Sequence, residues 1–438
     1  MSDAMVRPRP ARKSYDGVYS VLFGGLLFVS VFVMGSRGLF EVVAGKAVAY
    51  VLQLAMLSLL ITACLMSRRV SPTSWLRSIS TLLVVFAASA LASAIITLET
   101  EHVTYGFIYV FVFLYISIIL SFFAGFRCPM IETSSIRKSF VIMGLLLAFF
   151  GIAQQIGLVR LPGGSAVALL RPSSLTGSYL HYPIILALFT LSMLQIHNAT
   201  GKWRYLAYAV FMGAAIFASF SRSGMSIIMG SIFFFYLFYY IRQNIEVKAI
   251  MYVVAALSVP VLILGIVIFA QQSAVLERIV SIVDIESGGN SRRSEIWTST
   301  VSVFLDGPIL LGDQTGLYTN ITDNLLGVDA AVAESGFLQH LVNVGLIGCL
   351  SFYALFVFVY KAIDPSHLWL RAVVMTAALQ SFIYQSIEVF PYMAILGLMP
   401  VLSRHLAAIE QERRRRRSAS LSLLPPFSAP GARAAPAE

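Results

Sequence analysis

Thr104-Tyr-Gly-Phe-Ile-Tyr-Val-Phe-Val-Phe-Leu-Tyr-Ile-Ser-Ile-Ile-Leu-Ser-Phe-Phe-Ala-Gly-Phe126 runs for 23 residues without a charge. A helix crossing hydrocarbon needs about 20 mostly apolar residues, because every backbone N–H and C=O must be satisfied within the segment where water is absent. The stretch is long enough, and it lacks the period-two alternation of a barrel strand. Working outward, comparable stretches occupy residues 17–35, 46–66, 78–98, 136–156, 179–196, 204–219, 223–241, 250–270, 335–360, 367–386 and 389–406. The sequence thus predicts an all-α polytopic membrane protein of about 12 transmembrane helices.

Composition agrees: 58% of residues are apolar and 12% charged, with a mean hydropathy of +0.82, which no soluble surface carries. Lys and Arg near helix ends are retained on the cytoplasmic side. Arg7, Arg9, Arg12 and Lys13 in the N-terminal tail, Arg68, Arg69 and Arg77, Arg127, Arg137 and Lys138, Lys202 and Arg204, Arg242 and Lys248, Lys361 and Arg371, and the run Arg413 to Arg417 fall on alternate connections. The connections between them are poor in base, and residues 271–333 hold three arginines against eight acids. The expected layout is a basic cytoplasmic tail (1–16), helices 1–9 (17–270), one large periplasmic loop domain (271–333), helices 10–12 (334–406) and a disordered cytoplasmic tail (407–438). No cleavable signal peptide is expected, since the first apolar run leads to Arg37 and another span.

The net charge of +10 does not read as nucleic-acid binding. The bases sit beside membrane spans with no recognition motif, and contact with anionic membrane lipids explains them. Cys64, Cys128 and Cys349 read as packing residues. No Walker loop, dinucleotide fingerprint or zinc spacing is present, and neither metal nor other cofactor is expected.

Polar residues at the outer helix ends carry the candidate chemistry. In Leu170-Arg171-Pro-Ser-Ser-Leu-Thr-Gly177-Ser-Tyr-Leu-His181, Arg171 beside a helix start makes an anion cradle of guanidinium and orphan N–H donors, or else an interfacial anchor. His181 there reads as a satisfied helix-end residue. In Ser219-Phe-Ser221-Arg222-Ser223-Gly224 a short turn holds Arg222 at the membrane boundary, where an arginine is expensive to keep without use. In Asn290-Ser-Arg-Arg293-Ser-Glu-Ile-Trp297 a helix would put Arg293 and Trp297 on one face with Arg292 adjacent, a basic and aromatic surface that suits a sugar diphosphate or anchors an amphipathic helix at the interface. Glu334-Ser335 opens the tenth predicted span, with Gly345-Leu-Ile-Gly348 following; Glu334 is a titratable group or a helix cap.

Together these segments resemble the Wzy/O-antigen ligase superfamily of bacterial membrane glycosyltransferases. Ser221-Arg222-Ser223-Gly224 is similar to the family's arginine turn, Arg293 before Ile296-Trp297 and Gly307-Pro-Ile-Leu-Leu-Gly312 fit its external loop, and Glu334 stands in the slot where ligases carry histidine. The resemblance spans roughly residues 165–365. It implies a GT-C-like fold and a Wzy-type polymerase that joins undecaprenyl-diphosphate-linked oligosaccharide units at the periplasmic face of the bacterial inner membrane. The departure at Glu334 favours polymerase over ligase.

On this reading Arg171, Arg222, Arg293 and Arg292 bind the diphosphate, and Arg222 and Arg293 stabilise its departing charge without a metal. Glu334 is the general base of an inverting displacement, with His340 in reserve, and Trp297 and Ser335 contact sugar. Partners would be lipid-linked glycans, membrane lipids and a polysaccharide co-polymerase that regulates chain length. The alternatives are an oligosaccharide ligase of the same superfamily or, from another class, a lipid-linked glycan flippase or transporter. Transporters usually place charges or broken helices at mid-membrane and show repeated halves, whereas these charges gather at one rim.

Overall fold

The computed structural model describes residues 15–67, 69–96, 103–159, 171–243, 288–321 and 332–422. In chain order the helices are α1 (Tyr15–Gly35), α2 (Arg37–Ala44), α3 (Lys46–Met66), α4 (Leu76–Ile96), α5 (Val103–Gly125), α6 (Ser134–Gln155), α7 (His181–Thr200), α8 (Trp203–Ala218), α9 (Arg222–Gln243), α10 (Gly288–Asp306), α11 (Gly336–Ala362), α12 (Leu368–Gln380), α13 (Phe390–Gly397) and α14 (Met399–Ser422). A two-residue antiparallel pair, Ser71–Pro72 with Phe126–Arg127, is the only strand pairing among the described residues.

Among the described residues eight helices are long and apolar enough to cross a membrane, counting α13 with α14 as one (Phe390–Arg416), or nine if α1 and α2, bent by 75°, form one broken span. The fold is an all-α, multi-pass membrane protein, as the sequence indicates. The predicted spans at 204–219 and 367–386 coincide with shorter helices, α8 and α12, and the one at 250–270 lies outside the described residues. The tail expected to be disordered from 407 is helical as far as Ser422. Its Glu and Arg residues are good helix formers, and Glu412 pairs with Arg416 one turn on.

α7 sits at the centre, with Ile184 to Phe189 buried in succession, and packs on α6, α8, α9 and α12. It begins at His181 and ends at Thr200 beside Lys202. At the Lys202 end, Arg404 donates to Glu132 (2.6 Å) and to the carbonyls of Phe123 and Phe126, tying α14 to the α5–α6 connection. At the His181 end lie the Arg171 loop, the Arg222 turn and Glu334.

α11 is broken at Gly345, whose φ of 68° and ψ of −176° lie outside the helical region. Breaking a helix frees backbone groups that must be paired elsewhere inside a membrane protein. Here Leu346 and Ile347 donate to the carbonyls of Ile309 and Leu310, Ser89 donates to Val344 O, and Ser93 and Thr315 donate to Asn343 O. The Gly307–Gly312 segment therefore docks on the break. A side chain at Gly345 would lie 2.4 Å from the backbone of Leu310 and Leu311.

Candidate active site

Two cavities adjoin at the His181 end and share Leu180 and Tyr384 in their walls. The first, of about 400 Å³, is lined by Arg37, Lys46, Tyr50, His181, Glu334 and Glu388 among others. The second, of about 350 Å³, takes its polar lining from Arg171, Ser221, Arg222, Ser223, Ser226 and Gln380.

The Arg171 loop is held from below by α6. Gln154 accepts from the backbone N–H groups of Ser173 (3.0 Å) and Ser174 (2.8 Å), and the Ser174 hydroxyl donates to Leu147 O at 2.7 Å. Gly177 has φ of 74° and meets Gly38 backbone to backbone, so that α2 closes against the loop; a Cβ at Gly38 would fall 2.4 Å from Gly177. Arg171 stands 5.4 Å from the Tyr179 ring centroid, a cation–π distance that leaves the guanidinium at the second cavity.

Arg222 is the first residue of α9 and is exposed. Ser221 before it acts as an N-cap, its hydroxyl accepting from the Gly224 N–H at 3.4 Å. The turn is held on one side by Gln155, which donates to Ala218 O, and on the other by Gln380, which donates to Ser223 O at 2.8 Å. Two guanidiniums and the first turn of a helix thus line one cavity, a donor set suited to a diphosphate.

In the first cavity Arg37 pairs with Glu41 and lies 3.9 Å from the Tyr50 ring centroid. Glu334 is half-buried, with φ of 50°. Glu388, between α12 and α13, is buried and accepts from the Thr319 hydroxyl (2.5 Å) and the Asn320 backbone N–H (3.2 Å). Asn320 in turn donates through its side chain to Gln385. Burial pushes the Glu388 carboxyl up to about 7, against the pull of the Thr319 and Asn320 hydrogen bonds.

The structure brings together three of the residues read from sequence, Arg171, Arg222 and Glu334, across the two adjoining cavities. Ser335 caps α11, accepting from Leu338 N (3.2 Å) and donating to Phe382 O (2.8 Å), and lies outside both. His340 is fully buried among Phe86, Phe113 and Phe352, 3.0 Å from the Tyr109 hydroxyl and away from the cavities. Trp297 lies on α10, outside both cavities, and Arg292 and Arg293 are on the same helix, with side chains beyond those described.

Sequence reading overlooked Arg37 and Glu388. The reasoning that singled out Arg222, a charge retained at the rim of apolar spans, applies equally to both. Glu388 was passed over because it separates two predicted spans by a single polar step.

Residues 207–353 match the family model for the O-antigen ligase. The match covers Arg222, Glu334 and the Gly345 break, and leaves Arg37, Arg171 and Glu388 outside it. No curated protein matches the chain.

Proposed function

We propose, for a chain that belongs to the Wzy/O-antigen ligase superfamily, that this membrane glycosyltransferase is a polymerase joining polyprenyl-diphosphate-linked oligosaccharide units at the outer face of a bacterial inner membrane. Members of the family act on lipid-linked glycans in membranes. The observation that carries the reading is the pair of adjoining cavities, one lined by Arg171 and Arg222 and the other by Glu41, Glu334 and Glu388 together with Arg37 and Lys46.

The donor diphosphate enters the arginine cavity and the acceptor sugar the carboxylate cavity. The acceptor hydroxyl gives its proton to a carboxylate, for which the sequence names Glu334. Its oxygen attacks the anomeric carbon from the face opposite the diphosphate. The anomeric carbon–oxygen bond breaks, and its electron pair leaves with the diphosphate.

Arginine keeps its charge at any accessible pH and forks onto two phosphate oxygens, so Arg171 and Arg222 stabilise the departing group. Arg292, Arg293 and Trp297, which the sequence assigns to the diphosphate and to sugar, stand on α10, with Trp297 outside the two cavities, and are given no part in this step. The remaining partners of this reading are membrane lipids and a co-polymerase that sets chain length. The confinement of Arg171, Arg222 and Glu334 to one rim supports an enzyme over a flippase or transporter.

The lipid-linked glycan that accumulates when the gene is deleted tests the assignment. A single repeat unit on lipid is expected. A full-length polymer left unattached would make the protein a ligase.

A further inference from the structure

The first cavity holds more acid–base chemistry than the sequence pointed to. Glu334 and Glu388 face the same space from different surroundings: Glu334 is half-buried in the segment entering α11, whereas Glu388 is 8% exposed and fixed by Thr319 and Asn320. Two carboxylates in one site whose environments differ divide the acid–base work between them. We propose that Glu388 takes the proton of the acceptor hydroxyl, and that Glu334 orients the acceptor sugar. The proposal rests on the glycosyl-transfer reading, whichever product the enzyme makes.

Geometry favours Glu388 in two ways. Its carboxylate is anchored through Oε1 by the Thr319 hydroxyl, and the Asn320 N–H bridges its two oxygens at 3.2 and 3.3 Å, so the group is held in place before substrate arrives. It also shares the cavity wall with residues of α2, α3 and α7, so that three helices meet its segment there. The charged and titratable groups that face it there are Arg37 and Glu41 from α2, Lys46 and Tyr50 from α3, His181 from α7, Glu334, and Tyr384 of its own segment; Tyr109 of α5 also feels its charge.

With its carboxyl held up near 7 by burial, Glu388 is matched in basicity to a proton acceptor working at neutral pH. In the step, the acceptor O–H bond breaks, its proton passes to Glu388, and the oxygen's electron pair forms the new glycosidic bond as the diphosphate leaves with the old one. The Glu388 proton then passes to water.

The test uses the purified full-length protein and the lipid-linked oligosaccharide recovered from a deletion strain, with initial rates measured from pH 5 to 9. The parent should gain rate as pH rises through about 7, the ionisation of Glu388. Glu388→Gln keeps an acceptor oxygen for Thr319 and Asn320 but cannot take a proton; a loss of about 10² to 10⁴ in rate is expected, with the rising limb gone. Glu334→Gln should slow transfer and keep the limb.

Thr319→Ala decides the matter even if the glutamine variant does not fold. It removes a hydrogen bond to the ionised form, so the limb should move to higher pH. A Glu388→Gln rate within tenfold of the parent with the limb in place, or a limb that responds to Glu334→Gln and not to Thr319→Ala, overturns the assignment. If the parent forms no glycosidic bond at all, the glycosyl-transfer reading falls and takes this assignment with it.

Discussion

Replacing Arg222 with lysine keeps its charge and discards the fork, so it separates recognition of phosphate oxygens from a general electrostatic role. Arg222→Lys should be as damaging as Arg222→Ala, lowering polymer formation by about 10² to 10³, the usual consequence of losing one oxyanion donor, at unchanged protein level. Near-normal polymer from the lysine variant would refute the bidentate role. Glu388 makes a prediction about stability. Its folded carboxyl titrates near 7, above the ordinary value of 4.5, so between those values the folded protein holds a proton the unfolded chain has released. The stability this supplies is complete below about 4.5 and is lost as pH rises through about 7. Thermal unfolding should follow that fall in the parent and be flatter in Glu388→Gln; identical pH dependence in both would contradict it. Arg222 was legible because it interrupts apolar sequence within a recognisable motif. Glu388 has no motif, and what distinguishes it is burial beside Thr319 and Asn320, residues about 70 positions away, which hydropathy does not reveal.

The break in α11 shows how a pair of glycines reads at the level of an element. Gly345-x-x-Gly348 marks the site where a helix opens and accepts the Gly307–Gly312 segment as its hydrogen-bond partner. Alanine at Gly345 must hold φ of 68° and place its Cβ 2.4 Å from the backbone of Leu310 and Leu311. The strain alone costs about 1 to 3 kcal/mol, so Gly345→Ala should lower the unfolding midpoint. An unchanged midpoint would mean that the docking is dispensable. Backbone pairing of the same kind explains why the run 367–386 forms a helix of only 13 residues. Past Gln380 the chain leaves the helix, and Ser381 O and Tyr384 O accept from Phe337 N and Gly336 N, satisfying the start of α11. Hydropathy reports apolar length and carries no information about such a competing backbone partner. It likewise averages across Ser36, where α1 turns by 75° into α2.

Across the whole molecule the alternation of basic connections implies a direction that labelling can test. Leu158 (75% exposed) lies at the cavity end and Trp203 (77% exposed) at the opposite one. The three native cysteines are buried. Leu158→Cys should react with an impermeant thiol reagent from outside and Trp203→Cys only from the cytoplasm; the reverse pattern would invert the orientation and the sidedness of the chemistry. The contact of the two cavities through Leu180 and Tyr384 also shapes the stage after bond formation. In the proposed polymerase, the bare carrier would stay clamped by Arg171 and Arg222 after transfer while the lengthened chain hung from the carrier next door. A further addition would require the first to escape and the second to step across. Turnover would then be governed by the departure of a spent lipid from two guanidiniums that hold it best once the reaction is over.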